Sequence, residues 1–261
     1  MKRYFKLYLA FFKNCLIREM EFRSHFILQN FISLAWAGVV MITFFFIYQQ
    51  VSVVNGWTLE MMLLLTAIYF LVDRIFDSFF EINFTNFITI VNTGQLDLVL
   101  TKPVSSQFFV SLRQFSFAMI FSNLTMIGVI IYLVSRYFSP ISWLQIFTFI
   151  ILILVSVVIT YSLWFITLLP IFWWGRVDNM QHLFRPFHQL CRIPVDVLGK
   201  LRLFLTFIFP LAFVATIPTK SLINSSFSWL VFYGIGAAVF LLWLSHRLWR
   251  FSLKYYTSAS S

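Results

Sequence analysis

Charge is what this 261-residue chain has least of. Asp, Glu, Lys and Arg together make up 11% of it, where a soluble domain carries about 25%. With 61% of the residues apolar and a mean hydropathy of +0.88, that scarcity excludes a disordered chain and a soluble globular enzyme. A soluble fold of this size could not cover so much apolar surface. Cysteine is nearly absent too. Cys15 and Cys191 sit in no CxxC or Cys/His pattern, so neither a disulfide framework nor a thiolate metal site is implied. The eight glycines are scattered and form no GxxxxGK[ST] loop to cradle ATP phosphates. HExxH and GxSxG are missing as well. His25, His182, His188 and His246 make no recognisable metal set, and the i,i+4 pair Asp178/His182 reads as polar residues beside a membrane. No catalytic residue, metal or bound cofactor is therefore expected of this chain itself.

What the chain has in quantity is uncharged apolar sequence, 35 phenylalanines included. A helix needs about 20 apolar residues to cross a bilayer, and a charge at the bilayer centre costs about 2.5–3.5 kcal/mol. Five long stretches are free of Asp, Glu, Lys and Arg: Ser24–Leu59, Gln114–Ser135, Tyr137–Gly175, Leu203–Thr219 and Ser221–His246. They predict crossings near Phe26–Tyr48, Phe115–Tyr132, Trp143–Phe172, Leu203–Ile217 and Trp229–Leu244. Leu59–Phe80 adds a less clean one. The expected fold is all-α: a polytopic membrane protein of six transmembrane helices, forming a single domain over residues 1–261.

The basic residues orient it. Despite so little charge, the chain carries a net +10. An N-terminus in the cytoplasm and six crossings put sixteen Lys and Arg inside, among them Arg176, Arg185, Arg192, Lys200 and Arg202. Outside there are only Arg136 and Lys220. Such a bias is what the positive-inside rule describes, and it makes loops beside anionic lipid a better reading than nucleic acid. Residues 1–25 have a charge every few positions and no uninterrupted apolar core, so they suit an interfacial helix on the cytoplasmic surface rather than a cleaved signal.

Three groups of residues invite function. Asp73 and Asp77 share a helix face and Arg74 reaches Asp77 at i,i+3. They are either the partly solvated cytoplasmic end of a crossing or an intramembrane ion or substrate site. His182, Arg185, His188 and Arg192 could contact lipid phosphates at the inner face. The loop Glu81–Gln107 is the third. Phe84, Phe87, Ile88 and Val91 repeat at i, i+3, i+4, i+7, which predicts a short amphipathic helix. Glu81 suits its start, Gly94 its end, and Lys102-Pro103 stops any helix before the next span. The stripe either grips a soluble partner or is buried in lipid or against the chain's own helices.

Four segments carry a resemblance to a known family. They are Glu21-Phe22-Arg23-Ser24-His25-Phe26 before the first span, Gly94-Gln95-Leu96-Asp97-Leu98-Val99-Leu100-Thr101-Lys102-Pro103, Phe172-Trp173, and Phe209-Pro210-Leu211-Ala212-Phe213 with Pro218. In order and spacing the sequence resembles permease subunits of bacterial type-two ATP-binding-cassette exporters of about 260 residues. The Gly94–Pro103 segment, similar to G-x-L-D-x-x-L-x-(K/R)-P, is the most specific.

The resemblance implies an inner-membrane permease with both termini cytoplasmic and a separate ATPase subunit that holds the ATP and magnesium. A second permease chain, identical or different, would complete the transporter, surrounded by membrane lipids. Residues 81–107 would be the coupling segment, with Glu81, Phe84, Phe87, Ile88, Val91 and Asp97 meeting the ATPase. The mostly apolar lining suits an amphipathic or lipid-like cargo. The resemblance also implies a re-entrant outer segment over Ile193–Pro218, with Met180–Arg192 as the fifth helix. The charges on Met180–Arg192 argue instead for Leu203–Ile217 as the fifth crossing. The second functional reading is an ion-coupled secondary transporter or channel working through Asp73 and Asp77.

Overall fold

Backbone groups in hydrocarbon must be satisfied within their own segment, so an apolar chain of this kind folds as helices. The computed structural model describes residues 2–21, 23–138, 140–174, 182–223 and 229–256, and among them there is no strand. The helices are α1 (Lys2–Glu21), α2 (Arg23–Tyr48), α3 (Leu59–Phe76), α4 (Ile82–Asn92), α5 (Leu96–Leu100), α6 (Ser106–Leu112), α7 (Phe117–Tyr137), α8 (Trp143–Leu168), α9 (Ile171–Trp174), α10 (Arg185–Gln189), α11 (Leu201–Leu203), α12 (Thr216–Ile223) and α13 (Leu230–Ser252).

Four segments among the described residues are long and apolar enough to cross a membrane: Phe26–Tyr48, Phe117–Tyr137, Trp143–Trp174 and Leu230–Tyr255. α3 carries Glu60, Asp73 and Arg74, yet it packs between α2, α7 and α8 and is the most buried element. Its charges are tolerated because protein, not lipid, surrounds them.

Local chemistry sets the helix ends. Ser142 and Gln145 form a reciprocal capping box at the start of α8. Gly94 takes φ +72° just after α4, a conformation that costs glycine nothing. Between α3 and α4 the chain makes one π-helical turn, Asp77–Glu81. Such a turn shifts the hydrogen-bond register, and here the Ser78 carbonyl accepts the Ser116 N–H at 2.9 Å, tying α3 to the start of α7. From Leu59 to Asn92 the chain is thus a near-continuous rod of about 50 Å. A bilayer core is about 30 Å thick, so the rod is longer than one crossing needs.

α1 crosses the start of α7. Tyr8 and Phe12 pack edge-on against Phe115 (ring centroids 4.9 and 5.6 Å), and both Glu19 carboxylate oxygens accept from Phe117 N (2.8 and 3.0 Å). Leu9, Leu16, Ile17 and Met20 remain exposed.

The expected fifth crossing, Leu203–Ile217, is corrected. It contains α11, a π turn over Phe204–Ile208, a break at Phe209–Pro210 and a 3-10 turn over Leu211–Phe213. Pro210 has no N–H to continue a helix, and the Leu211 N–H turns back to the Phe209 carbonyl. Side chains hold the fold-back: Ser156 Oγ donates to the Phe213 carbonyl, Thr216 Oγ1 accepts Val195 N–H at 3.2 Å, and Cys191 Sγ lies 3.5 Å from the Leu211 carbonyl.

Its charged residues sit at the α2–α3 turn. Asp196 accepts from Trp57 Nε1 at 3.2 Å, and pairs with Lys220 at 2.6 Å and Arg202 at 3.4 Å. Arg202 therefore lies at the Trp57 end of the bundle, opposite Gly94. The chain folds back on itself over this stretch instead of running through it as one helix. Of the alternative fifth helix, Met180 and Gln181 lie outside the described residues, as do Arg176 and Asp178.

This placement has a direct check. In a full-length chain with Cys15 and Cys191 replaced by alanine, cysteines at exposed Ser52 and Lys200 should react with an impermeant maleimide from one membrane face. A cysteine at Gln95 should react from the other. Labelling of Lys200→Cys together with Gln95→Cys would restore Leu203–Ile217 as a crossing.

Candidate functional site

Asp73, Asp77 and Glu81 follow one another at i, i+4 and i+8, and so share one face of the α3 rod. Arg185, His188 and Arg192, at i, i+3 and i+7, share one face of α10 and its continuation. The fold sets these two faces against each other. Arg185 Nη2 pairs with Glu81 and lies 3.6 Å from Asp77 Oδ1. Arg74 Nη1 holds Asp77 Oδ2 at 3.0 Å. His188 Nδ1 is 3.3 Å from Asp73 Oδ1 and shares a 3.2 Å hydrogen bond with Tyr69 Oη. Arg192 stands 5.1 Å from the Tyr69 ring centroid, with Phe70 and Trp36 rings near it. Asp196, four residues on, reaches Trp57. One ladder of charged contacts thus climbs α3 from Glu81 to its start.

Its members are buried. The side chains of Asp73, Asp77 and His188 are 4%, 5% and 1% exposed. Buried ions repay their desolvation only when paired, and removing one partner of such a pair costs about 3–5 kcal/mol. The ladder therefore holds the fifth segment on α3 in one register.

The four residues expected to contact lipid phosphates are not gathered on one surface. Arg185 and His188 turn to carboxylates of their own chain, and Arg192 to aromatic faces. His182 alone of the four is exposed at the surface. Asp73, Arg74 and Asp77 come together as a polar cluster, and Arg185 and His188 join it, which spacing along one segment could not reveal. The complementary periodicities of the two faces are the signal that could have.

The coupling candidates divide. Phe84, Phe87 and Ile88 are buried in the chain: Phe84 and Phe87 meet Phe165 of α8, and Phe87 meets Trp249 of α13 at 5.6 Å. Burial against the chain's own helices, the alternative weighed for this stripe, is what the structure adopts. Glu81 is engaged by Arg185, and Val91 is half-buried. Asp97 stands in the first turn of α5 and is half-buried. Beside it Leu98 and Leu100 are exposed, at 67% and 40%.

α6 follows and is braced to two long helices by polar contacts that no motif announced. Gln107 Oε1 lies 2.8 Å from His246 Nδ1, and its Nε2 donates to Tyr161 Oη at 3.2 Å. Ser111 and Tyr161 hydroxyls bond at 2.9 Å, and Trp249 Nε1 donates to Ser106 Oγ at 3.2 Å. Buried polar networks satisfied in this way fix one arrangement of their elements. These contacts tie α6, directly behind the loop tip, to α8 and α13.

The family described as ABC-2 family transporter protein covers residues 34–260. No curated protein and no solved structure matches the chain. That match takes in the later part of α2, every helix from α3 to α13, the charged ladder and the exposed loop tip: the chain belongs to the ABC-2 transporter family and is a multi-pass membrane permease of ABC-transporter type.

Proposed function

We propose that the chain is the membrane-spanning subunit of an ATP-driven exporter in a bacterial inner membrane, paired with a separate ATPase and a second permease chain. Both termini and the Gly94 end face the cytoplasm in this reading, which keeps most Lys and Arg on that side. ATP and magnesium belong to the ATPase. α2 shows a long exposed apolar face, including Ile27, Phe31, Val39 and Phe46, available to lipid and to the second permease.

The observation that carries the reading is the exposed pair Leu98 and Leu100, at the tip of a rod that extends past the bilayer, with α6 behind it braced to α8 and α13. An apolar anchor beside Asp97 and Lys102 is suited to a groove on a soluble partner. Glu81, Phe84, Phe87, Ile88 and Val91 form the stem that carries the tip's displacement into the membrane, and Asp97 and the two leucines form the face that is gripped. ATP binding that draws two ATPases together would then tilt the stems and switch access across the membrane.

Two outcomes are expected. Burying a leucine is worth about 1.5–3 kcal/mol, so Leu98→Asp with Leu100→Asp should reduce the co-purified ATPase at least about tenfold while the chain elutes from size exclusion unchanged. Undiminished ATPase on that variant would contradict the docking face. Gln107→Leu should keep the ATPase bound but lower transport several-fold in vesicles, because the brace loses His246 and Tyr161. Loss of ATPase binding in Gln107→Leu, or transport at the native rate, would remove α6 from the coupling path.

A further inference from the structure

A groove of about 610 Å³ runs between α1 and the stretch that joins α5 to α6. Leu7 and Phe11 of α1 form one wall, and Pro103, Val104 and Phe109 form the other. Phe109 is 7% exposed, and Phe11 meets its ring edge-on with the centroids 5.8 Å apart. The polar lining is Lys102 and Arg113, both exposed. Lys102 Nζ and Arg113 Cζ each lie 5.2 Å from the Phe109 ring centroid. One ring therefore carries two cations, separated by no more than twice that distance.

The segments that build the groove supply no counter-charge. Residues 2–18 and 98–117 contain no Asp or Glu, and no ion pair among the described residues includes Lys102 or Arg113. Two like charges over one ring repel each other, and an anion between them turns the repulsion into attraction. Position says which anion. Arg113 comes four residues before Phe117–Tyr137, a segment long and apolar enough to cross a membrane. α1 lies across the start of α7 with Leu9, Leu16, Ile17 and Met20 exposed, a surface suited to the boundary between headgroups and acyl chains. The groove thus sets positive charge beside apolar walls at headgroup depth.

We infer that this groove binds an anionic phospholipid, its phosphate between Lys102 and Arg113 and an acyl chain along Leu7, Phe11 and Val104. The lipid bridges α1 to the turn that leads into α6. The inference rests on the membrane placement of the fold and is independent of which ATPase accompanies the chain.

The test uses the full chain, purified in dodecyl maltoside with whatever accompanies it, titrated with dioleoyl phosphatidylglycerol or dioleoyl phosphatidylcholine and read by native mass spectrometry. Each Lys or Arg beside an anionic headgroup adds to binding, so the first phosphatidylglycerol should bind at least about tenfold more tightly than phosphatidylcholine. Lys102→Gln with Arg113→Gln should abolish that preference. Lys102→Arg with Arg113→Lys keeps both charges and should keep it. Lys13→Gln removes an exposed cation of α1 outside the groove and should keep it too. Equal affinity for the two lipids, the native preference in the doubly neutral variant, or its loss in Lys13→Gln would overturn the inference. Displacement of the phosphatidylglycerol by an equimolar amount of inorganic phosphate would overturn it as well, because the groove would then hold a free anion. A doubly neutral variant that keeps the lipid preference but loses co-purified ATPase would make the groove a protein contact instead.

Discussion

Paired charge in a low-dielectric interior is the constraint on which the rest of this structure depends. Three carboxylates on one face of α3 cannot face lipid, and the chain answers them with Arg74 from the same helix and Arg185 and His188 from α10. Each pairing is worth little by comparison with apolar packing, but breaking one leaves an ion with no solvent. The ladder therefore acts less as a source of stability than as a register mark. It determines which part of residues 182–223 lies along α3 and which part folds back at the Trp57 end, where Asp196 gathers Trp57, Lys220 and Arg202.

From that register the remaining architecture follows. With residues 185–192 committed to α3, the apolar stretch after Lys200 has no room to cross, and Pro210 breaks it into a fold-back that Ser156 and Thr216 hold in place. At the other end, the π turn at Asp77–Glu81 both presents Asp77 and Glu81 to Arg185 and frees the Ser78 carbonyl for α7. The ladder and the base of the stem that carries Leu98 and Leu100 thus meet in that turn, at Asp77 and Glu81. The base of the stem is thereby tied to α10 through the charged contacts.

Much of this was legible in the sequence, and the physical reasons for the rest are specific. The crossings at Phe26–Tyr48, Trp143 onward and Trp229 onward could be read because lipid-facing helices are apolar on nearly every face. The α4 helix and its end at Gly94 could be read because periodicity and a left-handed glycine are local signals. Leu203–Ile217 read as a crossing because charge was weighed against water and lipid alone. Arg185, His188 and Arg192 look prohibitive for a membrane segment until their partners, more than 100 residues earlier, are in view. The same distance hid the Gln107–His246–Tyr161 brace. Phe84 and Phe87 illustrate a different limit: an amphipathic stripe shows that a face is buried, not what buries it.

The most direct measurement of the ladder is a double-mutant cycle on Glu81→Gln and Arg185→Gln in the full chain in nanodiscs, read by unfolding. If the two side chains meet as described, each single variant destabilises the protein and the double variant loses clearly less than the two losses added, with a coupling of about 1 kcal/mol or more. Losses that add within about 0.3–0.5 kcal/mol, as for groups that do not touch, would contradict the placement of α10 on α3 and with it the register of the whole fifth segment.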